Sequence, residues 1–327
     1  MRAAWYDRQG PAREVLQIGE LATPVPGPGE ALVRVHVSGV NPADCNGRAG
    51  RFGRKMGFAR VVPHNDGAGV VEDVGPGVER TLVGRRVWMH NAARGRAMGS
   101  AAQYVALDAH LLAELPDDCD FVVGASLGIP AQTAHLCLLR DGPIEGATVL
   151  VTGGAGAVGF YAIQIAKWAG ARVVATVSGE RKASDAALAG ADLVLNYRTD
   201  DVAAAVLEFT GGRGTDRIVE VDFGANLPTT MRVLADNAVV SMYSSVAVPE
   251  PHVPALGLMF KGVTVRFVQL GLSALELRQA AQRGVVDWLR SGRAQHRIAA
   301  SVPLERIAQA HEIVESCDRL GTVVVTT

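Results

Sequence analysis

The sequence has little of several features that mark specialised classes of protein. Its formal net charge is −1, and no basic run interleaved with aromatic residues indicates a nucleic-acid surface. Its amino terminus lacks the apolar core of a signal peptide, and no uninterrupted apolar stretch reaches the ~18 residues of a membrane span. These absences predict a cytoplasmic protein with neither a nucleic-acid nor a membrane partner.

Cysteine is also scarce, and its four positions are scattered without Cys-x-x-Cys spacing: Cys45, Cys119, Cys137 and Cys317. They indicate neither a disulfide framework nor a clustered zinc lobe. The chain does have length and apolar content. Its 327 residues, 48% of them hydrophobic, are enough for two domains with large cores.

Two patterns of secondary structure follow one another. Short strands between glycine-rich turns are predicted in the first third, at 30–38, 69–74, 86–89 and 103–107. Strands then alternate with helices, at 148–152, 172–177, 193–195, 217–221 and 238–242. A helix at 274–289, a strand at 298–302, a helix at 304–315 and a strand at 322–325 follow. The predicted fold class is α/β, with a Rossmann doubly wound parallel sheet beside a mostly β region.

The most informative motif is Gly154-Ala155-Gly156-Ala157-Val158-Gly159, which follows an apolar strand and opens a helix. We assign the tight turn to Gly154, the close approach of a pyrophosphate to Gly156, and the packing of helix on strand to Gly159. The N–H groups and dipole of the helix would bind the phosphates. The context predicts a dinucleotide site.

The residues after the second strand of this motif indicate which dinucleotide binds. An NAD site normally has Asp or Glu at the strand tip, whereas this chain has Ser178, followed by Arg181 and Lys182. Two cations and a hydroxyl suit a 2′-phosphate, which favours NADPH. The alternative is that the cations form only the solvated face of a helix, and Glu180 beside them would oppose a phosphate if it turned inward.

Motifs along nearly the whole chain resemble the quinone oxidoreductase branch, the zeta-crystallin type, of the medium-chain dehydrogenase/reductase superfamily. The matching segments are 39–44, 66–75, 84–87, 104–105, 128–134, the glycine loop, 164–167, 190–192 and 196–198. The resemblance implies a GroES-like catalytic domain at 1–122 and 269–327 and a Rossmann domain at 123–268. It also implies a zinc-independent NADPH-dependent reductase of quinones or other conjugated carbonyls, with these cofactor contacts: Asn41, Thr133, Gly154, Gly156, Ala157, Val158, Gly159, Ser178, Arg181, Lys182, Tyr197, Ser244 and Phe267.

Zinc enzymes of the same superfamily carry Cys, Gly-His-Glu and a further Cys at positions where this chain has Asn41, His64-Asn65-Asp66 and Leu127-Gly128-Ile129-Pro130. A catalytic zinc normally needs three protein ligands, so we expect no metal. His64 with Asp66 is the alternative pair of ligands, but a histidine beside a glycine-rich turn is more often structural.

Without zinc, hydrogen-bond donors must polarise the acceptor, which favours quinones and enones because they delocalise the arriving charge. Asn41 is the candidate catalytic donor, and Thr133 would hold the nicotinamide or its ribose. The alternatives are that Asn41 only caps its turn and that Thr133 is a helix-start hydroxyl. Asp44 and Arg48 could pair on a helical turn.

The chain also departs from its family. Asn46 and Phe52 stand where family aromatics are usual, and Thr322 replaces a lysine. The physiological acceptor is therefore open: the alternatives are a reductase of enoyl thioesters or alkenals and a non-enzymatic, crystallin-like NADPH-binding protein. The segment 262–268 reads as the final strand of the Rossmann sheet. Its edge position, implied by the resemblance, predicts a homodimer, with a masked edge in a monomer as the alternative.

Overall fold

The structure of the protein, a computed structural model, describes residues 1–316 and 319–327. It divides into two compact units, residues Met1–Ile129 with His296–Thr327, and residues Pro130–Gln295. The sequence places the boundaries at 122 and 268 instead. Residues 269–295 belong with the second unit because Trp288 packs edge-on against Tyr161 at 5.6 Å, and the N–H of Gln295 donates to Gln164 Oε1 at 2.7 Å.

The first unit is mostly β structure. Its amino-terminal part contains β1 (Arg2–Trp5), α1 (Ala12–Val15), β2 (Gln17–Glu20), β3 (Glu30–Val40), α2 (Pro42–Ala49), β4 (Asp66–Val74), β5 (Arg86–Met89), β6 (Tyr104–Asp108), β7 (Leu112–Glu114) and α3 (Phe121–Leu139), within which the first unit ends. The second unit then alternates strands and helices: β8 (Thr148–Val151), α4 (Ala157–Trp168), β9 (Arg172–Val177), α5 (Glu180–Leu188), β10 (Leu193–Asn196), α6 (Val202–Phe209), β11 (Thr215–Glu220), α7 (Phe223–Val233), β12 (Leu234–Met242), α8 (Ala255–Phe260), β13 (Thr264–Phe267) and α9 (Leu275–Arg290).

The chain returns to the first unit through β14 (Ile298–Pro303), α10 (Ile307–Glu315) and β15 (Thr322–Thr326). Strand β15 pairs antiparallel with β3, so the sheet of this unit has the order β14-β15-β3-β4-β5-β7, with β6 also on β3. Short 3₁₀ turns lie at Arg51–Gly53, Arg80–Leu82, Ala109–Leu111, Leu270–Leu272 and Leu304–Arg306. The predicted mostly β domain is confirmed.

The second unit has one six-stranded parallel sheet of order β10-β9-β8-β11-β12-β13. Helices cover parallel sheets on both faces, which is why the strands are continuous apolar runs. Every residue of β8 is buried, and Leu150, Val174, Ile218 and Val240 of four strands meet in one core. The predicted doubly wound α/β fold is confirmed.

Helix α3 bears on the expectation that no segment spans a membrane. Its 19 residues contain no charged side chain, and by length and composition the helix could cross a membrane. Polar residues such as Ser126, Gln132 and His135 hide this length from a search for uninterrupted apolar runs. In the folded chain 72% of its most apolar window is buried. Core helices of soluble proteins pass the same test, so α3 is weak evidence for a membrane span.

Candidate cofactor and active site

The glycine-rich segment joins strand β8 to helix α4, as the sequence predicts. Gly153, with φ +67°, makes the turn after the strand, and the Gly154 N–H donates to the Thr176 carbonyl oxygen at 2.9 Å. A Cβ on Gly154 would lie 2.9 Å from the Cβ of Ala175. The left-handed residue is therefore Gly153 and not Gly154, whose lack of a side chain instead allows close packing on β9.

Gly156 and Gly159 shape the start of helix α4. A Cβ on Gly159 would lie 2.3 Å from the Gly153 carbonyl oxygen, so only glycine lets the helix lie this close to the loop. Gly156 is the N-cap, and a Cβ there would lie 3.3 Å from the same oxygen. In an α-helix the N–H groups of Ala157 and Val158 have no intrahelical acceptor, and the dipole adds positive potential. The first turn fits a pyrophosphate.

The carboxyl end of β9 carries the residues predicted to select the cofactor. In the first turn of α5, Lys182 Nζ donates to Ser178 Oγ at 3.0 Å, while Glu180 and Arg181 are exposed. The N–H of Tyr197, just after β10, donates to the last carbonyl oxygen of β9 at 3.1 Å. The structure thus brings Ser178, Lys182 and Tyr197 to one edge of the sheet.

The two remaining cofactor candidates in this unit lie farther along the sheet. The carbonyl oxygen of Ser244, after β12, accepts the Phe223 N–H at 3.1 Å. Phe267 ends the edge strand β13 and is 73% exposed. Ser244 follows the carboxyl end of one parallel strand and Phe267 forms that of another, so both share the edge of the glycine loop. The strand order places β11 between Ser244 and the loop, and both β11 and β12 between Phe267 and the loop.

Sequence reasoning misses a buried carboxyl group at this edge. Glu220 is the last residue of β11, and its Oε1 accepts hydrogen bonds from Thr152 Oγ1 at 2.8 Å, the Asp222 N–H at 2.7 Å and Asn226 Nδ2 at 2.7 Å. Burial raises the pKa of Glu220, and the three hydrogen bonds oppose that rise. The available signal in the sequence is an acidic residue within the apolar run Ile218-Val219-Glu220-Val221.

In the first unit, Asn41 is the N-cap of helix α2 and is 4% exposed. Its backbone N–H donates to Asp44 Oδ2 at 2.8 Å, and its Nδ2 donates to Asp66 Oδ2 at 2.7 Å. Burial raises the pKa of Asp44 to about 6 and that of Asp66 well above its ordinary value. An amide nitrogen has two hydrogens, and the bond to Asp66 uses one of them. Arg48 pairs with Glu315, at 2.6 Å, and not with Asp44 as the spacing suggests.

Thr133, the other catalytic candidate, is buried inside helix α3, well past its first turn. It is therefore not a helix-start hydroxyl. Its contact with a nicotinamide or ribose stays a prediction.

His64 contacts two other polar side chains. Its Nδ1 lies 2.8 Å from Ser38 Oγ, and its Nε2 lies 3.0 Å from Nε2 of His311. Burial lowers the pKa of His64 to about 3 and that of His311 well below its ordinary value. Across residues 1–316 and 319–327, no group of three or more His, Cys, Asp or Glu side chains could hold a metal ion.

The cysteines that the structure describes are free thiols: Cys45, Cys119 and Cys137. Cys317 lies outside the described residues. Burial raises the pKa of Cys45 to about 12, which disfavours the thiolate form that covalent catalysis would need.

Known families and proteins match both units. A model described as alcohol dehydrogenase GroES-like domain matches residues 27–117, and one described as zinc-binding dehydrogenase matches 157–289. The human quinone oxidoreductase is 30% identical over 319 residues, which cover 95% of this chain and 94% of the relative. A 2-haloacrylate reductase of Burkholderia sp is 30% identical over 335 residues, covering 99% and 98%.

Solved structures agree with these matches over the whole chain. A mycobacterial quinone oxidoreductase is 30% identical with a TM-score of 0.88, and the Escherichia coli quinone oxidoreductase complexed with NADPH is 26% identical with a TM-score of 0.86. Both alignments cover 100% of each chain. The chain therefore belongs to the quinone oxidoreductase family of the medium-chain dehydrogenase/reductase superfamily.

Proposed function

We propose that this protein is an NADPH-dependent oxidoreductase that reduces quinones without zinc. The observation that carries the proposal is the Ser178–Lys182 pair, 3.0 Å apart, at a strand tip without an acidic residue and next in the sheet to the glycine loop. A carboxylate at that tip would repel a 2′-phosphate, whereas an ammonium and a hydroxyl bind it. The NADPH complex of the related Escherichia coli enzyme supports the same cofactor.

Bound NADPH supplies a hydride, and the chain's residues must bind the cofactor and stabilise the charge that the hydride places on the acceptor. The N–H groups of Ala157 and Val158 would bind the pyrophosphate, and Thr133 would orient the nicotinamide half. The side-chain amide of Asn41 would donate to the acceptor oxygen as negative charge develops there. With a proton from solvent, NADPH and quinone become NADP⁺ and hydroquinone.

A second class of acceptor is supported by the similarity to a 2-haloacrylate reductase, whose name denotes an activated carbon–carbon double bond. Hydride addition to an enone or enoyl thioester also moves charge to a carbonyl oxygen, so the same donor would serve. Steady-state NADPH oxidation with quinones, enones and enoyl thioesters in parallel distinguishes the classes. Tight NADPH binding without oxidation by any of them would favour the non-enzymatic alternative.

Zinc independence rests on the residue types at the ligand positions, Asn41 and Asn65, which are poor zinc ligands. Asn65 donates its amide to Asp44 Oδ1 at 2.7 Å, so it serves the carboxyl network. Elemental analysis and activity in chelator test this proposal. One zinc per chain, with activity lost on its removal, would contradict it.

We also propose a homodimer formed through β13, which lies at the sheet edge. Phe267, which ends this strand, is 73% exposed, and an interface with a second copy at this edge would cover it. Light scattering should give twice the mass of one chain, and Val265→Pro should reduce the measured mass.

The free thiols and the use of NADPH, made inside cells, favour a location in the cytoplasm.

A further inference from the structure

The buried Glu220 connects two segments at the point where the order of the parallel sheet reverses. Strands β9 and β10 extend the sheet on one side of β8, and β12 and β13 extend it on the other side of β11. In doubly wound sheets the crevice at such a point receives the ligand, at the carboxyl ends of the strands. Glu220 ends β11, and Thr152 follows the end of β8 directly.

Thr152 is the last residue with a polar side chain before the glycine loop begins. Its hydroxyl donates to Glu220 Oε1 at 2.8 Å and accepts the Val221 N–H at 2.9 Å. The next four residues are Gly153, Gly154, Ala155 and Gly156, which have no polar side chain that could hold their backbone. Glycine permits many backbone conformations, so the group that anchors the first end of the loop affects where its N–H groups point.

We propose that Glu220 is a positioning residue for the cofactor, which fixes the Thr152 hydroxyl and through it the start of the pyrophosphate loop. The inference rests on the proposed NADPH function. Glu220 would act through geometry and not through charge, because within the described residues Oε2 has no hydrogen-bond partner and no ion pair includes the group. A freely ionised carboxylate beside a pyrophosphate would repel it, and burial works against that ionisation.

Direct titration of the purified protein with NADPH tests this role by its Kd, without any acceptor present. Thr152→Val keeps the shape of the side chain and removes the hydroxyl, and we expect the Kd to rise about tenfold, as for one lost hydrogen bond to a carboxyl group. Glu220→Gln keeps a carbonyl acceptor and should change the Kd by less than about threefold. Glu220→Leu should reproduce the effect of Thr152→Val, and the double variant should be no worse than Glu220→Leu.

Asn226→Ala is the matched control. It removes another donor to the same Oε1, at 2.7 Å, but on the side of helix α7. We expect both Asn226→Ala and Thr152→Val to lower Tm, because each removes a buried hydrogen bond to Glu220. Only Asn226→Ala should leave the Kd for NADPH within about twofold of the parent value.

Three results would overturn the inference. They are an unchanged Kd for NADPH in Thr152→Val, a loss of NADPH affinity in Asn226→Ala as large as that in Thr152→Val, and additive losses of affinity in the double variant. Because Thr152→Val is sterically conservative, the test stands even if Glu220→Leu fails to fold. If the unmodified protein does not bind NADPH, the proposed function fails, whereas unaltered variants beside a binding parent refute only the role of Glu220.

Discussion

Replacing Gly159 with alanine tests whether the close approach of helix α4 to the glycine loop forms the cofactor site. The new Cβ would lie 2.3 Å from the Gly153 carbonyl oxygen and 2.9 Å from Gly154 Cα, where ordinary contacts are 3.4–4 Å. Both obstacles are main-chain atoms, so the loop or the helix must move by about 1 Å. Overpacking costs about 1–3 kcal/mol, and the helix propensity of alanine returns up to about 1 kcal/mol.

The expected net cost is about 1–2 kcal/mol, which lowers Tm by about 2–8 °C for a domain of this size. The displaced loop should also weaken NADPH binding at least tenfold, because each hydrogen bond to a phosphate contributes about 1.5–3 kcal/mol. Thermal denaturation with and without NADPH measures both effects, since a ligand that binds only the folded state stabilises it by RT ln(1 + [L]/Kd), and a weaker Kd therefore gives a smaller rise in Tm.

Gly156→Ala is the control for this variant. Its Cβ would lie 3.3 Å from the Gly153 oxygen, a contact that a small adjustment relieves. Its Tm without cofactor should therefore stay close to that of the parent, while the methyl group reduces the stabilisation by NADPH. A Gly159→Ala protein with the parent's Tm and NADPH affinity would refute the packing argument.

Three further outcomes are expected. Lys182→Ala should reduce the preference for NADPH over NADH by about tenfold, the contribution of one charge-assisted hydrogen bond. Equal Kd values for NADPH and NADH in the parent protein would contradict the assignment of Ser178 and Lys182 to the 2′-phosphate. Asn41→Ala should lower kcat more than it weakens NADPH binding, and an unchanged kcat/KM would remove this residue from the mechanism. His64 and His311 stay neutral in the folded state but take up protons near pH 6.5 when unfolded, so their contribution to stability is complete above that pH and is lost as pH falls. His64→Asn should flatten the fall in unfolding free energy between about pH 6.5 and 4.5, because asparagine tolerates the φ of +76° at this position and has no titrating ring. An unchanged dependence of unfolding free energy on pH would contradict this. Asp44, whose pKa is raised to about 6, contributes in the opposite sense, since its stabilisation is lost as pH rises.

Period and turn residues in the sequence predict most of the regular structure. The bounds of β5 and β9 are predicted to the residue, because each is a short apolar run beside glycine or charged residues. Helix α3 is missed because it is apolar on all sides and shows no helical period. The amino-terminal hairpin of β1 and β2 is missed too, since its strands have only four residues each and no tight turn between them.

The cofactor site is predictable as far as it is local in sequence. The glycine loop and the Ser178–Lys182 pair lie within single strand–turn–helix segments, where spacing determines proximity. Other contacts are not local: Thr152, which donates to Glu220, is 68 residues from it, and Glu315 is 267 residues from Arg48. Spacing cannot reveal such contacts, which depend on strand order and on the return of the chain to the first unit.

That return has a consequence for synthesis on the ribosome. The sheet of the first unit needs β15, whose register joins Val323 to Val40, so this unit cannot be completed before almost the whole chain has emerged. Ion pairs of Arg2 with Glu305 and Arg13 with Glu312 connect the same distant segments. The second unit, in contrast, is one continuous segment from Pro130 to Gln295. Because domains fold as units and distant contacts form slowly, the Rossmann unit should fold first. Until β15 is synthesised, part of the edge of β3 stays unpaired, and a nascent-chain chaperone would have to protect it.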